Sequence, residues 1–254
     1  MPIRSTDPFA DPTLRLRSDV NPWLGRMIAA GQDPRPGVLY GPGLKEACRQ
    51  WRDHFPDAGR PGRLIVEIGS HNGDVLIALA KARPGDGFIG LDITFKRVVT
   101  LADKAAAAGA GNVLSVLANA GGISRLFPPA SVDGFIIFFP DPWVKKQRQQ
   151  KKQLLGPGIC RELADLTAPG GFVWFKTDQF NYFKTAVGHF NEAGFSERGT
   201  LPAGIDGPFE SRFERHFTEL GLATHEIILE RREAPAMGLS DKKDMEKAIP
   251  PEYD

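Results

Sequence analysis

The architecture of this chain follows from one stretch, Leu64-Ile65-Val66-Glu67-Ile68-Gly69-Ser70-His71-Asn72-Gly73-Asp74. Its first five residues form an almost wholly apolar run, which is typical of a strand that is buried on both faces. Two glycines then enclose three small or polar residues, and a helical pattern starts at the aspartate. A buried strand that enters a helix through a glycine turn predicts the first unit of a parallel α/β sheet.

The same alternation continues along the chain. Further strands are predicted at Gly87–Ile93, Val113–Leu117, Val132–Phe139 and Phe172–Lys176, and a last strand at His225–Glu230 would close the sheet. Helices are predicted at Asp74–Arg83, Lys96–Ala108, Gly158–Leu166 and Phe180–Ala193. Because parallel strands need crossovers of about this length, the pattern predicts an α/β fold with a doubly wound, mostly parallel sheet and helices on both faces.

The chain of 254 residues divides into three parts. Residues 1–60 are rich in proline and hold two short amphipathic pieces, at Trp23–Ala30 and Leu44–Phe55. We interpret them as an extension that packs on the main domain and has a flexible start. Residues 61–232 carry the strand and helix pattern and form the main domain. Residues 233–254 are polar and charged, which predicts a disordered tail.

The composition bounds the class of protein. Apolar residues make up 41% of the chain and the net charge is +1, which is ordinary for a soluble globular protein. Cys48 and Cys160 fit no disulfide or metal pattern, and each is expected to be a small buried hydrophobic residue. No segment resembles a signal peptide or a membrane span. We therefore expect a cytoplasmic protein without a membrane anchor. The histidine spacing predicts no metal site, and motifs of serine hydrolases and P-loop proteins are absent from the sequence.

Polar residues fall at the ends of the first three predicted strands of the sheet. Ligands of doubly wound sheets bind at these carboxyl ends. Gly69 and Gly73 would let a ligand approach the backbone, Asp92 could accept hydrogen bonds from ribose hydroxyls, and Asn119 could read an adenine edge. The turn lacks the G-x-G-x-x-G pattern, which disfavours a dinucleotide. Together these features favour an adenosine-containing cofactor without a pyrophosphate, and S-adenosylmethionine is the natural candidate.

The strand Val132–Phe139 ends in Pro140-Asp141-Pro142-Trp143. Five cations follow with no acidic residue before Arg161: Lys145, Lys146, Arg148, Lys151 and Lys152. A carboxylate, an indole and dense positive charge in succession suit a site that binds a nucleobase and its phosphate backbone. Taken separately, each feature has a structural explanation, as a turn aspartate, a ring that supports the turn, and a solvated charged face. For Trp143 the supporting role is slightly favoured over stacking on a base.

Two later segments also allow a structural and a functional interpretation. Asp178 could contact a ligand or cap the helix that follows it. Ser211 and Glu214 match a capping box, and could also present polar groups to a ligand. Three apolar residues near them have helical spacing, which is most simply explained by a face packed on the core: Phe213, Phe217 and Leu220.

With these motifs assembled, the chain resembles the bacterial tRNA (guanine-N7-)-methyltransferases over about residues 63–231. The matching segments are Val66-Glu67-Ile68-Gly69, Phe88-Ile89-Gly90-Leu91-Asp92, Asn119-Ala120, Phe138-Phe139-Pro140-Asp141-Pro142-Trp143-Val144-Lys145-Lys146, Pro169-Gly170-Gly171, Lys176-Thr177-Asp178, Arg212-Phe213-Glu214 and Leu220-Gly221. The resemblance implies a Rossmann-like class I methyltransferase fold, S-adenosylmethionine as the methyl donor, and guanine 46 of the tRNA variable loop as the acceptor.

The resemblance also implies roles for individual residues. Five residues would bind the cofactor, namely Glu67, Gly69, Asp92, Asn119 and Asp141. Asp141 would also be catalytic. Six residues would bind the tRNA guanine, namely Lys145, Asp178, Ser211, Arg212, Phe213 and Glu214. The chain departs from the family pattern at Ser211, where threonine is usual, and at His71, where glycine is usual. A histidine adopts the left-handed backbone of such a turn only at some cost.

Two other functions remain open from the sequence. One is a tRNA-binding protein whose methyl transfer has lapsed, with His71 as the cause. The other is a methyltransferase that acts on a protein or a small molecule, although a neutral acceptor would not need the basic run. The sequence does not decide between a monomer and a homodimer.

Overall fold

The computed structural model describes residues 37–39, 44–55, 62–142, 153–202, 205 and 209–232. The strands within these ranges are β1 (Val38–Leu39), β2 (Leu64–Ile68), β3 (Gly87–Asp92), β4 (Val113–Leu117), β5 (Val132–Phe138), β6 (Thr167–Thr177), β7 (Phe195–Glu197) and β8 (His225–Arg231). The α-helices are α1 (Leu44–Arg49), α2 (Asp74–Ala82), α3 (Phe95–Ala107), α4 (Pro157–Leu166), α5 (Phe180–Glu192) and α6 (Arg212–Glu219). Short 3-10 helices lie at Trp51–His54 and Ile123–Arg125.

The strands form one sheet in the order β1-β4-β3-β2-β5-β6-β8-β7. The pairs from β1 to β6 are parallel, whereas β8 runs antiparallel to both β6 and β7. The order reverses between β2 and β5, which is the switch point at which ligands bind in doubly wound sheets. The predicted doubly wound, mostly parallel sheet is therefore confirmed.

Both faces of the sheet are covered by helices. On β2, Val66 belongs to a buried cluster with residues of α4 and α5, such as Leu163 and Phe190. Its neighbour Ile65 points to the other face and belongs to a cluster with residues of α2 and α3, such as Leu76. Alternate residues of the central strands thus fill two cores, which explains why those strands are continuously apolar.

The described part of residues 1–60 belongs to the sheet and its core. Strand β1 pairs with β4, and Cys48 and Trp51 are fully buried in the same cluster as Val66. The Trp51 ring lies against Gly87, where a Cβ atom would come within 2.4 Å of it. Cys160 is also a buried free thiol, and burial raises the pKa of both cysteines to about 12. The expectation that both are buried hydrophobes is confirmed. The predicted piece Trp23–Ala30, the flexible start and the disordered tail lie outside the described residues.

Candidate active site

The carboxyl ends of the parallel strands bring the polar residues of the sequence motifs to one edge of the sheet. Each of five neighbouring strands leads into such a residue: Glu67 and Gly69 for β2, Asp92 for β3, Asn119 for β4, Asp141 for β5 and Asp178 for β6. The predicted convergence at the strand ends therefore follows from the topology. No group of three metal-ligating side chains occurs in the described ranges, and none of their helices has the length and apolarity to cross a bilayer.

The turn after β2 has the left-handed backbone that its glycines allow. Gly69 has a φ of 79°, and a Cβ atom there would have nothing within 4 Å, so the turn is open in front of this residue. His71 also has a positive φ, 49°, which is uncommon for a residue with a side chain. Its N–H donates to Oδ2 of Asp92 at 3.2 Å, and this bond helps to hold the strained residue in place.

Asp92 links the glycine turn to helix α3. Its side chain is 2% exposed, and Oδ1 accepts the N–H of Thr94 at 2.7 Å. Arg97 of α3 approaches Oδ2 to 3.5 Å. The carboxylate that was predicted to bind ribose hydroxyls is thus also the group that fixes the local backbone. Its contact with a ribose stays a prediction.

Glu67 is a buried carboxylate without a matching partner. The residue is 5% exposed, and none of the described residues hydrogen-bonds to its Oε2. Burial, together with the nearby charges of Asp74 and Asp92, raises the pKa of Glu67 to about 8. Ser70, three positions later, is also buried, and its Oγ has no hydrogen-bond partner among the described residues. Unpaired buried polar atoms at a strand end are characteristic of a site that a polar ligand completes.

Asn119 shapes the loop after β4. Its Oδ1 accepts the N–H of Gly121 at 2.9 Å, which forms a local turn, and the residue is half-buried. The interaction with an adenine edge that was predicted for it stays a prediction.

The turn after β5 is strained and exposes a carboxylate. Phe139 has a φ of 49°, which is unusual for a bulky residue, and such strained residues cluster at functional sites. Its N–H donates to the carbonyl of Lys176 at 2.8 Å, and the Pro142 carbonyl accepts from Nε2 of Gln153 at 2.6 Å. Asp141 between these anchors is exposed. Trp143 and the five cations of the basic run, including Lys145, lie outside the described residues.

Asp178 does not cap helix α5, so that structural interpretation is wrong. The helix begins at Phe180 and its N-cap is Gln179, which puts Asp178 one residue too early. The N–H of Gln179 is accepted by Oγ1 of Thr177 at 3.2 Å, while Asp178 accepts from the Gln179 side chain at 2.6 Å. The half-buried carboxylate of Asp178 is therefore not needed to start the helix, and its contact with a guanine stays a prediction.

The capping box at the start of α6 is confirmed. The N–H of Glu214 donates to Oγ of Ser211 at 3.0 Å, and the N–H of Ser211 donates to Oε2 of Glu214 at 3.3 Å. The serine that replaces the usual threonine therefore keeps the capping function of the hydroxyl.

The prediction that Phe213, Phe217 and Leu220 pack on the core is wrong. No residue of α6 is buried, and Phe213 and Leu220 are 42% and 58% exposed. The helix instead lies on the strand-end loops. Phe213 meets the His71 ring edge-on at 5.4 Å between centroids, and Phe217 packs on Phe139 at 5.3 Å. Helix α6 thus joins the glycine turn to the turn that carries Asp141.

Lys176 was not predicted to have a role of its own. It is buried at the end of β6 and pairs with Glu214 of α6. A cavity of about 440 Å³ lies beside this pair, lined by Trp174, Lys176, Leu201, Phe209, Glu210, Glu214 and Glu226. A lysine at the end of an apolar strand gives no sequence signal that distinguishes a buried cation from an exposed one.

Comparison with known proteins agrees with this architecture. A family model described as "Putative methyltransferase" matches residues 61–224. Of the solved structures, the 16S rRNA methyltransferase KamB superposes with a TM-score of 0.51 at 18% identity, over 73% of this chain and 92% of that one. This structural likeness shows the fold alone. Fold and family model together define a Rossmann-like methyltransferase.

Similar proteins of known name show which family of methyltransferases the chain belongs to. The tRNA (guanine-N(7)-)-methyltransferase of Acidithiobacillus ferrooxidans is 34% identical over 82% of this chain and 91% of that protein. The enzyme of the same name from Mycolicibacterium paratuberculosis is 31% identical over 83% of this chain and 78% of its own length. A third, from Cutibacterium acnes, is 40% identical over 49% of this chain and 45% of that protein. The chain belongs to the tRNA (guanine-N(7)-)-methyltransferase family.

Proposed function

We propose that the protein transfers the methyl group of S-adenosylmethionine to N7 of guanine 46 in the variable loop of tRNA. The observation that carries this proposal is the contact of Phe213 with His71, with 5.4 Å between the ring centroids. It brings the segment implied in guanine binding against the glycine turn implied in cofactor binding. A methyl group can pass directly only between two such adjacent sites.

The residues of the glycine turn fit S-adenosylmethionine. The buried, unpartnered Oε2 of Glu67 can accept from the ammonium of the methionine part, and this pairing would favour the ionised carboxylate. Open space at Gly69 lets the ligand approach the backbone, and Asp92 and Asn119 lie at the next two strand ends. Asp141 would complete the cofactor side. When bound, the cofactor supplies an electrophilic methyl group on a sulfonium.

The acceptor chemistry needs positioning more than proton transfer. Guanine N7 carries an exposed lone pair, so no general base has to remove a proton before attack. The product base is cationic, and Asp141 and Asp178 near its edge would stabilise the developing charge. Carboxylates there can also accept from the N1 and N2 hydrogens of the base. The segment Ser211–Glu214 and Lys145 are the remaining guanine contacts that we propose.

His71 is compatible with activity in this turn. The positive φ that a glycine would adopt freely is held by the hydrogen bond to Asp92, and the imidazole rests against Phe213. Burial lowers the pKa of His71, and Arg97 adds to this effect. The ring is therefore neutral near pH 7 and adds no charge that would repel a cationic cofactor. These contacts argue against the lapsed enzyme.

The basic run should bind tRNA phosphates. Replacing Lys145, Lys146 and Lys151 with alanine should raise the tRNA KM and reduce the slope of log KM against log salt by about two to three, since each phosphate contact releases counterions. The measurement is methyl transfer at several salt concentrations. Lys81, exposed at the far end of α2 from the site, provides the control variant Lys81→Ala. An unchanged salt slope in the triple variant would exclude the proposed contact.

The test of the function is methyl transfer from labelled S-adenosylmethionine to unmodified tRNA, followed by nucleoside analysis. Formation of 7-methylguanosine, lost when guanine 46 is replaced, would establish donor, acceptor atom and position together. Transfer to a protein or a small molecule instead would refute the tRNA substrate. Binding of tRNA without binding of the cofactor, measured by calorimetry, would identify a lapsed enzyme. Because we propose a tRNA substrate, we also propose that the protein acts in the cytoplasm.

A further inference from the structure

We propose that Lys176 is a positioning residue that sets the distance between the separate segments of the guanine site. This inference rests on the proposed function, because it concerns how the acceptor base is held. Lys176 immediately precedes Thr177 and Asp178 at the end of β6. It is the point at which strand β6, the turn after β5 and helix α6 are tied together.

The side chain of Lys176 ties helix α6 to the sheet. Its Nζ lies 2.8 Å from Oε1 of Glu214 and 3.5 Å from Oε1 of Glu226, the residue directly opposite on β8. The side chain is only 6% exposed, and its ammonium lies 5.2 and 5.0 Å from the ring centroids of Phe138 and Trp174. A buried cation held by two carboxylates and two aromatic rings has a single well-defined position.

The main chain of Lys176 ties the turn after β5 to the same point. Its carbonyl accepts the N–H of Phe139, the strained residue two positions before Asp141, at 2.8 Å. Lys176 therefore holds the turn after β5 through its carbonyl group and helix α6 through its side chain. The turn after β6 follows it directly in the chain. The carboxylates of Asp141 and Asp178 and the segment Ser211–Glu214 all depend on it for their relative placement.

Within the part of the chain that the structure describes, helix α6 has few other contacts with the sheet. None of its residues is buried, and its capping box is internal to the segment. Among the described residues, its ring contacts with the strand-end loops are those of Phe213 and Phe217 with His71 and Phe139. The two carboxylate oxygens of Glu214 have different partners: Oε1 accepts a hydrogen bond from Nζ of Lys176, and Oε2 accepts from the N–H of Ser211. Loss of the lysine would release the start of the helix.

The test compares Lys176→Met with Lys176→Arg and with a matched control. Methionine keeps the volume and removes the charge, whereas arginine keeps a charged donor. The control is Arg198→Met, which removes the 3.0 Å ion pair to Glu230 near the opposite end of β8. The measurements are kcat/KM for tRNA, the calorimetric Kd for S-adenosylmethionine, and hydrogen exchange of the α6 amides in the free protein.

We expect Lys176→Met to lower kcat/KM for tRNA by on the order of tenfold or more, because a displacement of about 1 Å in a positioning group is costly. The cofactor Kd should stay within about twofold of the wild-type value, since Lys176 lies outside the glycine turn. The α6 amides should exchange faster in this variant. Arginine should restore most of the activity, and Arg198→Met should change none of the three quantities.

Three results would overturn the proposal. They are an unchanged kcat/KM in Lys176→Met, an equal loss in Arg198→Met, and unchanged exchange of the α6 amides. The exchange experiment does not require turnover, so it decides the role of Lys176 even if the wild-type protein methylates no tRNA and the proposed function fails. If the methionine variant does not fold, Lys176→Gln, which keeps one donor toward Glu214, is measured against the same expectations.

Discussion

Replacing Asp141 with alanine should slow methyl transfer to tRNA by on the order of a hundredfold or more, as expected when a group that stabilises transition-state charge is removed. The carboxylate is exposed, and the turn that carries it is held by backbone bonds of Phe139 and Pro142 rather than by Asp141 itself. The fold should therefore survive the substitution. The measurement is single-turnover methyl transfer with saturating tRNA and cofactor.

Two further variants distinguish loss of the negative charge at Asp141 from general damage to the protein. Asp141→Asn keeps the shape and loses the charge, so it should be slowed nearly as much as the alanine variant if charge stabilisation is the main role. Asp165→Ala removes another exposed carboxylate, on α4, and should leave the rate unchanged. Near-normal methyl transfer by Asp141→Ala would refute the catalytic role of this residue.

Replacing Glu67 with glutamine should weaken S-adenosylmethionine binding by on the order of ten- to a hundredfold, the cost of losing a hydrogen bond to a charged group. The amide is nearly isosteric with the carboxylate, so the buried site keeps its shape. The measurement is titration calorimetry of the variant against the wild-type protein. Equal affinities would show that the buried carboxylate does not meet the ligand ammonium.

The same variant should also change how stability depends on pH. Burial raises the pKa of Glu67 from 4.5 to about 8. Between these values the folded protein holds a proton that the unfolded chain has released, so the free energy of unfolding of the wild-type protein falls as pH rises. Glutamine does not titrate. Without cofactor, the stability of Glu67→Gln relative to wild type should therefore increase from about pH 4.5 to about pH 8. A constant difference in chemical denaturation would contradict the raised pKa.

The sequence predicted the parts of this fold that depend on local pattern. The apolar run and glycine turn around Glu67 and the capping box at Ser211 each depend on residues close in sequence, and both are confirmed. For His71 the sequence indicated only that a left-handed backbone would be costly, and its positive φ is accompanied by a hydrogen bond to Asp92, 21 positions away. Strands β1 and β7 were not predicted, since two or three residues are too few to show a period. Strand β6 begins at Thr167 rather than Phe172 because Thr167 pairs with Val132 of β5, and the predicted entry turn lies at an irregularity between this pair and the pair of Gly134 with Phe172.

The candidate site could be predicted only where its residues fall at strand ends. The aromatic spacing of Phe213 and Phe217 is the same whether a helix face meets a core or a set of loops, so the pattern alone does not distinguish the two. For Asp178 the sequence allowed either a ligand contact or a helix cap, and it could not exclude the cap because a shift of one residue in a helix start is below what sequence reveals. The burial of Lys176 depends on a carboxylate 38 positions away, which only the tertiary structure brings near.

The position of α6 in the chain also bears on how such an enzyme can change its target. Strands β7 and β8 are consecutive and pair antiparallel, so residues 198–224, with α6 among them, form the connection of a single wide hairpin at the edge of the sheet. The strand ends proposed to hold the donor belong to the parallel half and are built from other parts of the chain. Connecting segments on a protein surface tolerate insertion and replacement far better than buried parallel strands do. The segment Ser211–Glu214, one of the guanine contacts that we propose, can therefore change in evolution with little effect on the strand ends proposed to hold the donor.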